Sequence, residues 1–595
     1  MALWWLAAPY AGIRHDAIFY AGDALRRLHP QALAGDIFFH QGSQGDFSVF
    51  GRFYAALIQR VGLDVAAFVV ALAGRLAWLA AVLWLVRTLA PSRDWLLLLA
   101  AALCLPAAYG PLDVLARAEP FATPRIFAEA ASLAAVVLAL RARWALAAAA
   151  WAVGMVVHPL MAVFAGALLV CLLPARLRWT SLAAVALLLA WAWARQWPPL
   201  PRLLHGFDAD WWAVVDGRNA MILWPYWTVA QISHAVLALL MLADVVRRRP
   251  EDTAQTRLAL GLLATALVCL GTWWWASQQR NVLLLQIQPW RVLWLLELLA
   301  PMLWLAVVWR AGWPARPTKA LVPTVLLLLA WLMPYWPAAG VGAVALALQA
   351  APAGWPTRHR GYWLALLTGG LAAILLLDAL SPLLLGALDP AADVRWPARI
   401  GAWLATPMVT LLLLATAWLA WRGRPLCRPA QALALVAGLS SLVVWSSWML
   451  VPPPDQADRR LAAQARAVIP PGATVWSELG LANTWFELQR QHYASSAQGA
   501  GAQFDRDLAL TLRARLDRLR SLELTSESWQ LSPAKRVARR SPDIARIRLA
   551  CEDQALDWLV FRGSTPAAHV VIGVDGSLAR LSLYDCRKLR GMPHA

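Results

Sequence analysis

Apolar and polar positions alternate along this chain on the scale of whole helices rather than single turns. Up to Leu450 the sequence is a series of apolar blocks rich in Leu, Ala and Trp, separated by short polar or proline-containing stretches. The blocks fall near residues 1–12, 64–86, 95–111, 126–140, 144–157, 159–173, 180–195, 226–245, 258–276, 282–309, 320–336, 338–350, 362–386, 402–421 and 429–450. A helix crossing a bilayer needs about 20 apolar residues, and backbone in lipid must satisfy its own hydrogen bonds. The pattern predicts a polytopic α-helical membrane protein with about 13–15 transmembrane segments, the shorter ones tilted, paired or re-entrant.

From Val451 the pattern changes. ATVWSE and DWLVF read as short strands, DRDLALTLRARLDRL as an amphipathic helix, and VVIGVDGSLARLSLY as a hairpin with an Asp-Gly turn. Residues 1–450 are thus expected to form a helical transmembrane domain and 451–595 a C-terminal soluble α/β domain, with the proline-rich Val451–Pro454 as linker. No repeat of 20–50 residues is visible.

Loop charge supplies a topology. Alternate loops read RTLAPSR, RAR, PARLR, RRRPEDTAQTR, RAGWPARPTK, GWPTRHR and RGRPLCR, a basic excess that assigns this side to the cytoplasm. The other set is longer and mixed in charge: residues 13–63, 112–125, 195–225, 277–281 and 387–400. Parity then places the N-terminus inside, and the large loops and the tail together outside. The expected location is the bacterial inner membrane, with the C-terminal domain periplasmic.

Composition fits this reading. The chain is 60% hydrophobic and 15% charged, where soluble domains carry about 25% charged residues. The net charge of +19 would suggest nucleic acid in a soluble protein, but much of the arginine lies in the short basic loops, so no nucleic-acid partner is expected. The lipid bilayer is. The six cysteines show no metal-ligand spacing; Cys551 and Cys586, in the tail, are expected to pair if the tail lies in an oxidising compartment. The first apolar run, MALWWLAAPYA, leads into GIRHD rather than a small-residue cleavage site, so no cleavable signal peptide is read. The run is also short for a span, which suggests an incomplete or partly inserted first helix.

Polar residues single out the outer loops. If residues 16–28 are helical, Asp16, Tyr20, Asp23 and Arg27 share one face, opposite Ile18, Ala21, Leu25 and Leu28. This suits a helix in the membrane interface with its carboxylates toward water, or simply a solvated face. In the second loop, Thr123 and Pro124 form a helix start, and Arg125 and Glu129 follow at i, i+4 spacing. Together with Asp113, Arg117 and Glu119 they make either an anionic-substrate site or a structural ion-pair network. Arg75 and Glu297, inside apolar blocks, are expected to pair with each other, and His158 before Pro159 marks a helix break. The third loop combines His205, Asp208, Asp210, Asp216 and Arg218 with Trp197, Trp211 and Trp212. Its Asp-Ala-Asp is compatible with a divalent metal, and its tryptophans with either sugar stacking or interfacial anchoring. The tail segment holding Trp485, Arg490, His492, Tyr493, Gln498 and Arg506 suits either substrate covering or packing.

This layout resembles the GT-C superfamily of membrane glycosyltransferases: many helices, a large first outer loop with an interfacial helix, and a C-terminal soluble domain outside. The resemblance spans nearly the whole chain and rests on Arg14, His15 and Asp16 at the start of the first outer loop. It implies transfer of a sugar from a polyprenyl-phosphate-linked donor to a glycan, lipid or protein acceptor. Asp16 would act as general base or acceptor-orienting residue, with Glu119 as the second acidic residue. Arg14, His15, Asp23, Arg117, Arg125 and Arg218 would contribute to substrate binding. No cofactor is implied beyond a possible divalent metal. The tail has no WWDYG-like run, which points away from Asn-glycosylation. A lipid or polysaccharide transporter or flippase, using the intramembrane charged residues, and a non-catalytic envelope scaffold are the alternatives.

Overall fold

The computed structural model describes residues 4–5, 8–40, 44–90, 94–104, 107–110, 114–248, 253–312, 456–533, 542–565, 567–573 and 579–591, with a few positions between 431 and 445. The apolar segments from 320 to 421, nearly all of 429–450, the loop 387–400, Asp113 and Cys427 lie outside the described residues. The chain is mostly helical, with a C-terminal mixed sheet of five strands. Four described helical segments are long and apolar enough to cross a membrane: Leu63–Leu89, Ala175–Ala194, Ala254–Gln279 and Val282–Val307.

The first large loop, residues 13–63, contains helix α1 (Ala17–Leu28) and helix α2 (Phe50–Val61). Gly62 follows at φ 82°, a conformation open to glycine, and turns the chain into α3 (Leu63–Leu89). Helix α4 (Trp95–Cys104) ends before the predicted segment does, because the chain then forms a short antiparallel pair, β1 (Ala108–Tyr109) with β2 (Leu115–Ala116).

Three helices follow with almost no loop: α5 (Arg125–Leu140), α6 (Trp144–Val157) and α7 (Pro159–Leu172). Proline forces the residue before it out of helical geometry, and His158 accordingly adopts an extended conformation between α6 and α7. Each of these two helices has 14 residues, about 21 Å at 1.5 Å per residue, so they form a helical hairpin with His158 at its tip. Helix α8 (Ala175–Ala194) is mostly exposed along its apolar length. After the third large loop with α9 (Ala209–Arg218), the chain continues through α10 (Val229–Arg248) and α11 (Ala254–Gln279). The next span is broken. Val282–Ile287 is helical, Gln288 takes a left-handed conformation, Pro289–Val292 is a 3-10 turn, and Leu293–Gly312 resumes the helix. This span is enclosed on all sides through Val307.

In the tail, β3 (Thr474–Ser477), β4 (Gln491–His492), β5 (Trp558–Arg562), β6 (Val570–Gly573) and β7 (Arg580–Asp585) form a sheet of order β4-β3-β5-β7-β6. β3 runs parallel to β4 and β5; β7 runs antiparallel to β5 and β6. The expected strands, helix (Arg506–Ser521) and hairpin are all present, the hairpin's turn lying outside the described residues. Cys551 and Cys586 form a disulfide 35 residues apart. On chain-entropy grounds, Cys551→Ser should destabilise the tail by about 2–4 kcal/mol. Chemical denaturation followed by tail tryptophan fluorescence tests this, and an unchanged midpoint would contradict it.

The tail is not a detached module. Asp36, in the first loop, accepts four hydrogen bonds: from Phe38 N (2.9 Å), Trp485 Nε1 (2.8 Å), His492 N (2.7 Å) and Gln498 Nε2 (2.9 Å). Burial pushes its carboxyl up, against these four donors, which favour the charged form. The Trp485 ring lies directly over Gly22 of α1, where a Cβ would sit 2.5 Å from it. The third loop meets the tail as well. Asp208 caps α9 and pairs with Arg506 at 2.7 Å, and Trp211 Nε1 donates to Ala502 O. Both large loops and the tail therefore occupy one face of the helical bundle, and one hydrophobic core runs from the bundle into the tail.

Two expectations are corrected here. α1 does not lie with a carboxylate stripe toward water: Tyr20 and Asp23 are buried, because α2 packs on one side and the tail on another. Arg75 does not pair with Glu297. It donates to Ala118 O at 3.1 Å and stacks over Trp4, with Trp5 and Trp445 nearby, whereas Glu297 neighbours Arg117.

Candidate functional site

Asp16 immediately precedes α1, and Arg125 begins α5, so two loop-to-helix junctions from different loops meet. Their side chains form a direct ion pair. The second loop is tied to the segment before Asp16 by Ala11 N donating to Pro120 O at 2.9 Å. Arg125 is also held from its other edge. Its Nη2 donates to Glu119 Oε1 at 2.6 Å, and its Nε lies 3.1 Å from both Glu119 oxygens. Thr123 Oγ1 donates to Glu119 Oε2 at 2.6 Å. One guanidinium thus bridges two carboxylates, a geometry suited to the planar fork of arginine.

The members differ in access. The side chains of Glu119 and Arg125 are each 2% exposed, and that of Asp16 is 21% exposed. Asp16 is therefore the carboxylate of the trio that an outside molecule reaches, while Glu119 orients Arg125. Burial alone would raise the Asp16 carboxyl, but Arg125 and the hydrogen bond from His15 outweigh it and hold Asp16 well below the usual carboxylate range. His15 Nδ1 lies 3.2 Å from Asp16 Oδ1, and this hydrogen bond raises the imidazole above its ordinary value.

Buried polar side chains continue next to this trio. Tyr20 OH and His158 Nε2 are 3.2 Å apart, joining α1 to the tip of the α6–α7 hairpin. Arg291, in the 3-10 break, donates to Gln288 Oε1 at 2.5 Å and Met161 Sδ at 3.5 Å, and lies within the electrostatic reach of Tyr109, Tyr20, Arg125 and Asp16. It makes no ion pair among the described residues. Sequence reasoning missed it, although QIQPWR interrupts the apolar segment 282–309 with polar residues and a proline.

The remaining candidates divide. Arg14 is exposed beside Asp16. Arg117 is buried near Glu129 and Glu297, and Ala118 N donates to Glu129 at 3.3 Å. Asp23 belongs elsewhere: it is enclosed by Arg26 (2.8 Å) and Arg27 (3.0 Å), under Gly45 and Gly51, and holds α1 against the rest of the first loop. Arg218 is also apart, donating to Ser496 O at 3.1 Å in the tail. Among the described residues no group of three or more His, Cys, Asp and Glu is placed to hold a metal. Asp208 of the Asp-Ala-Asp is engaged as a helix cap and ion pair. A cleft of about 350 Å³ opens between the third loop and the tail, lined by Arg202, His205, Asp208, Phe504 and Arg506, none of them a member of the Asp16 cluster. Comparison with protein-family models, curated proteins and solved structures finds no match to this chain.

Proposed function

We propose that this protein is a GT-C-type membrane glycosyltransferase that moves a sugar from a polyprenyl-phosphate-linked donor to an envelope acceptor on the outer face of a bacterial inner membrane. The observation that carries the reading is Asp16. It is a partly accessible carboxylate at the start of the first-loop helix, clamped by a guanidinium that a second acidic residue holds from behind. In the reaction the acceptor hydroxyl hydrogen-bonds to Asp16, which orients its oxygen toward the sugar C1. The new C1–O bond forms as the C1–O(phosphate) bond breaks, the hydroxyl proton passes to Asp16, and the lipid phosphate leaves with the bonding electrons. Because Arg125 is neutralised by two carboxylates, the phosphate is better served by Arg291, with Arg14 at the accessible edge. The basic loops opposite the tail and the tail's disulfide support the outer location.

The direct test is activity of the purified full chain with polyprenyl-phosphate- and polyprenyl-diphosphate-linked sugars. Release of the lipid phosphate coupled to sugar transfer is expected. Translocation of the intact lipid without transfer would replace this reading with a flippase, and neither activity would leave a scaffold. Topology is tested separately: a periplasm-active reporter fused after Leu450 should be active, and a cytoplasm-active reporter at the same point silent. The reverse result would put Asp16 on the wrong side for this reaction.

A further inference from the structure

Shortly after β2 the chain bends at Ala118, which takes the left-handed conformation, φ 50°. A residue with a Cβ adopts that conformation at a cost glycine does not bear, so its surroundings must hold it there. Its N–H and its C=O are gripped by ionisable side chains from two different helices. Ala118 N donates to Glu129 Oε2 at 3.3 Å, and Arg75 Nη1 donates to Ala118 O at 3.1 Å. The flanking backbone is tied as well: Arg117 N donates to Ala107 O at 2.8 Å, and Ala11 N to Pro120 O at 2.9 Å.

Both gripping side chains are out of reach of solvent, each 1% exposed. The Arg75 guanidinium lies 3.9 Å from the Trp4 ring centre, with Trp5 and Trp445 around it, and its Nε and Nη2 have no hydrogen-bond partner among the described residues. Ala118 O is thus the acceptor on which this buried cation depends, and a hydrogen bond from a charged donor is among the stronger kinds. Glu129 stands one helical turn after Arg125 on α5. The contacts therefore close a ring. Glu119 grips Arg125, Ala118 precedes Glu119, Glu129 grips Ala118, and one turn of α5 leads from Glu129 back to Arg125. Arg75 braces the ring from α3. A slip of the Ala118 peptide would move Glu119, and with it the guanidinium paired with Asp16.

We propose that Arg75 and Glu129 are positioning residues for the Asp16–Arg125 pair. They hold Ala118 in its left-handed bend, which sets Glu119 against Arg125 and so fixes the guanidinium that meets Asp16. Both act through the Ala118 peptide rather than on a substrate. The ionisable groups inside the apolar helices α3 and α5 thereby have a use that requires no transport pathway. The consequence for turnover rests on the glycosyl-transfer reading; the mechanical clamp does not.

The test uses Arg75→Met in the purified full chain, which removes the donor and leaves an apolar side chain of similar length among the tryptophans. Amide hydrogen exchange should rise several-fold in the segment around Ala118 and at Ala11, and stay at the parent's level along α3 and α5. Sugar transfer should fall about tenfold in kcat with KM nearly unchanged, because the pair is misplaced while the binding groups remain. Adding Ala118→Gly to Arg75→Met should recover most of the lost turnover, since glycine keeps a left-handed bend without a clamp. A residue that merely supported the bundle would show no such rescue. Glu129→Met releases the same bend from α5 and should give the same pattern, which decides the matter if Arg75→Met does not accumulate. Parent-like exchange around Ala118, or exchange raised equally along α3 and α5, would overturn the proposal. So would a loss of turnover that Ala118→Gly leaves unrepaired. A parent protein without sugar transfer would instead remove the reaction, and the exchange pattern alone would then decide the clamp.

Discussion

Asp16→Asn is expected to lower sugar transfer roughly 100-fold or more, the usual scale for loss of a general base, while leaving expression and membrane insertion nearly unchanged. The amide keeps the shape of the carboxylate but cannot take the acceptor proton, and it exchanges an ion pair with Arg125 for a neutral contact. Asp210→Asn, on the exposed side of α9, is the control and should retain activity. Asp23 is unsuitable as a control because it is buried and doubly paired. The pH profile sharpens the test. Asp16 has a depressed folded value, so its stabilising ion pair is present above the ordinary carboxylate value and lost only as pH falls through the depressed one. Between about pH 5 and 8 it stays charged, and any titration of activity there belongs to another group. His15 has the opposite sign: its contact with Asp16 is fully present below about pH 6.5 and lost as pH rises through its raised value. Activity of Asp16→Asn equal to the parent's would remove Asp16 from the mechanism.

Asp36→Ala is expected to be the most damaging substitution outside the site, costing about 3–4 kcal/mol. It leaves Trp485 Nε1, His492 N, Gln498 Nε2 and Phe38 N without their acceptor in a buried setting. The affected contact is the one that holds the tail over α1. Faster proteolysis of the linker and a lower melting temperature by tail tryptophan fluorescence are the expected readouts. Asp36→Asn should also destabilise, because one carboxylate oxygen becomes an amide donor facing other donors. Parent-like proteolysis and melting of Asp36→Ala would refute the role of this contact.

The helices were legible because their ends carry local chemistry. Pro159 and the RAR turn bracket α6, and residues 144–157 match in sequence and structure. The tail strands were legible for the same reason: alternation and turn residues act over a few positions. What escaped was set by distance along the chain. Asp36 sits in LAGDIFF and looks like an ordinary turn residue, since three of its four donors come from the tail. The helix pattern puts Asp23 on a water-facing side, yet Arg26 and Arg27 stand at i+3 and i+4, the spacing that allows a carboxylate to be buried. Arg75 inside an apolar block suggests a carboxylate partner, but a guanidinium can instead stack on tryptophan. The meeting of Asp16 with Arg125 was expected only as a shared face, whereas the shared guanidinium depends on how two junctions pack.

The Asp36 socket has a consequence for biogenesis. His492 lies 456 residues beyond Asp36, so at about 5–20 residues per second the ribosome reaches it roughly 20–90 seconds after the first loop emerges. Throughout that interval α1 lacks the Trp485 ring that closes over Gly22, and the carboxylate of Asp36 has only Phe38 from its own neighbourhood. The nascent first loop therefore waits, incompletely folded, for the end of translation. Completion of the chain becomes the event that fixes the helix behind Asp16, and a prematurely terminated product would reach the membrane with its spans inserted and that helix still unlatched.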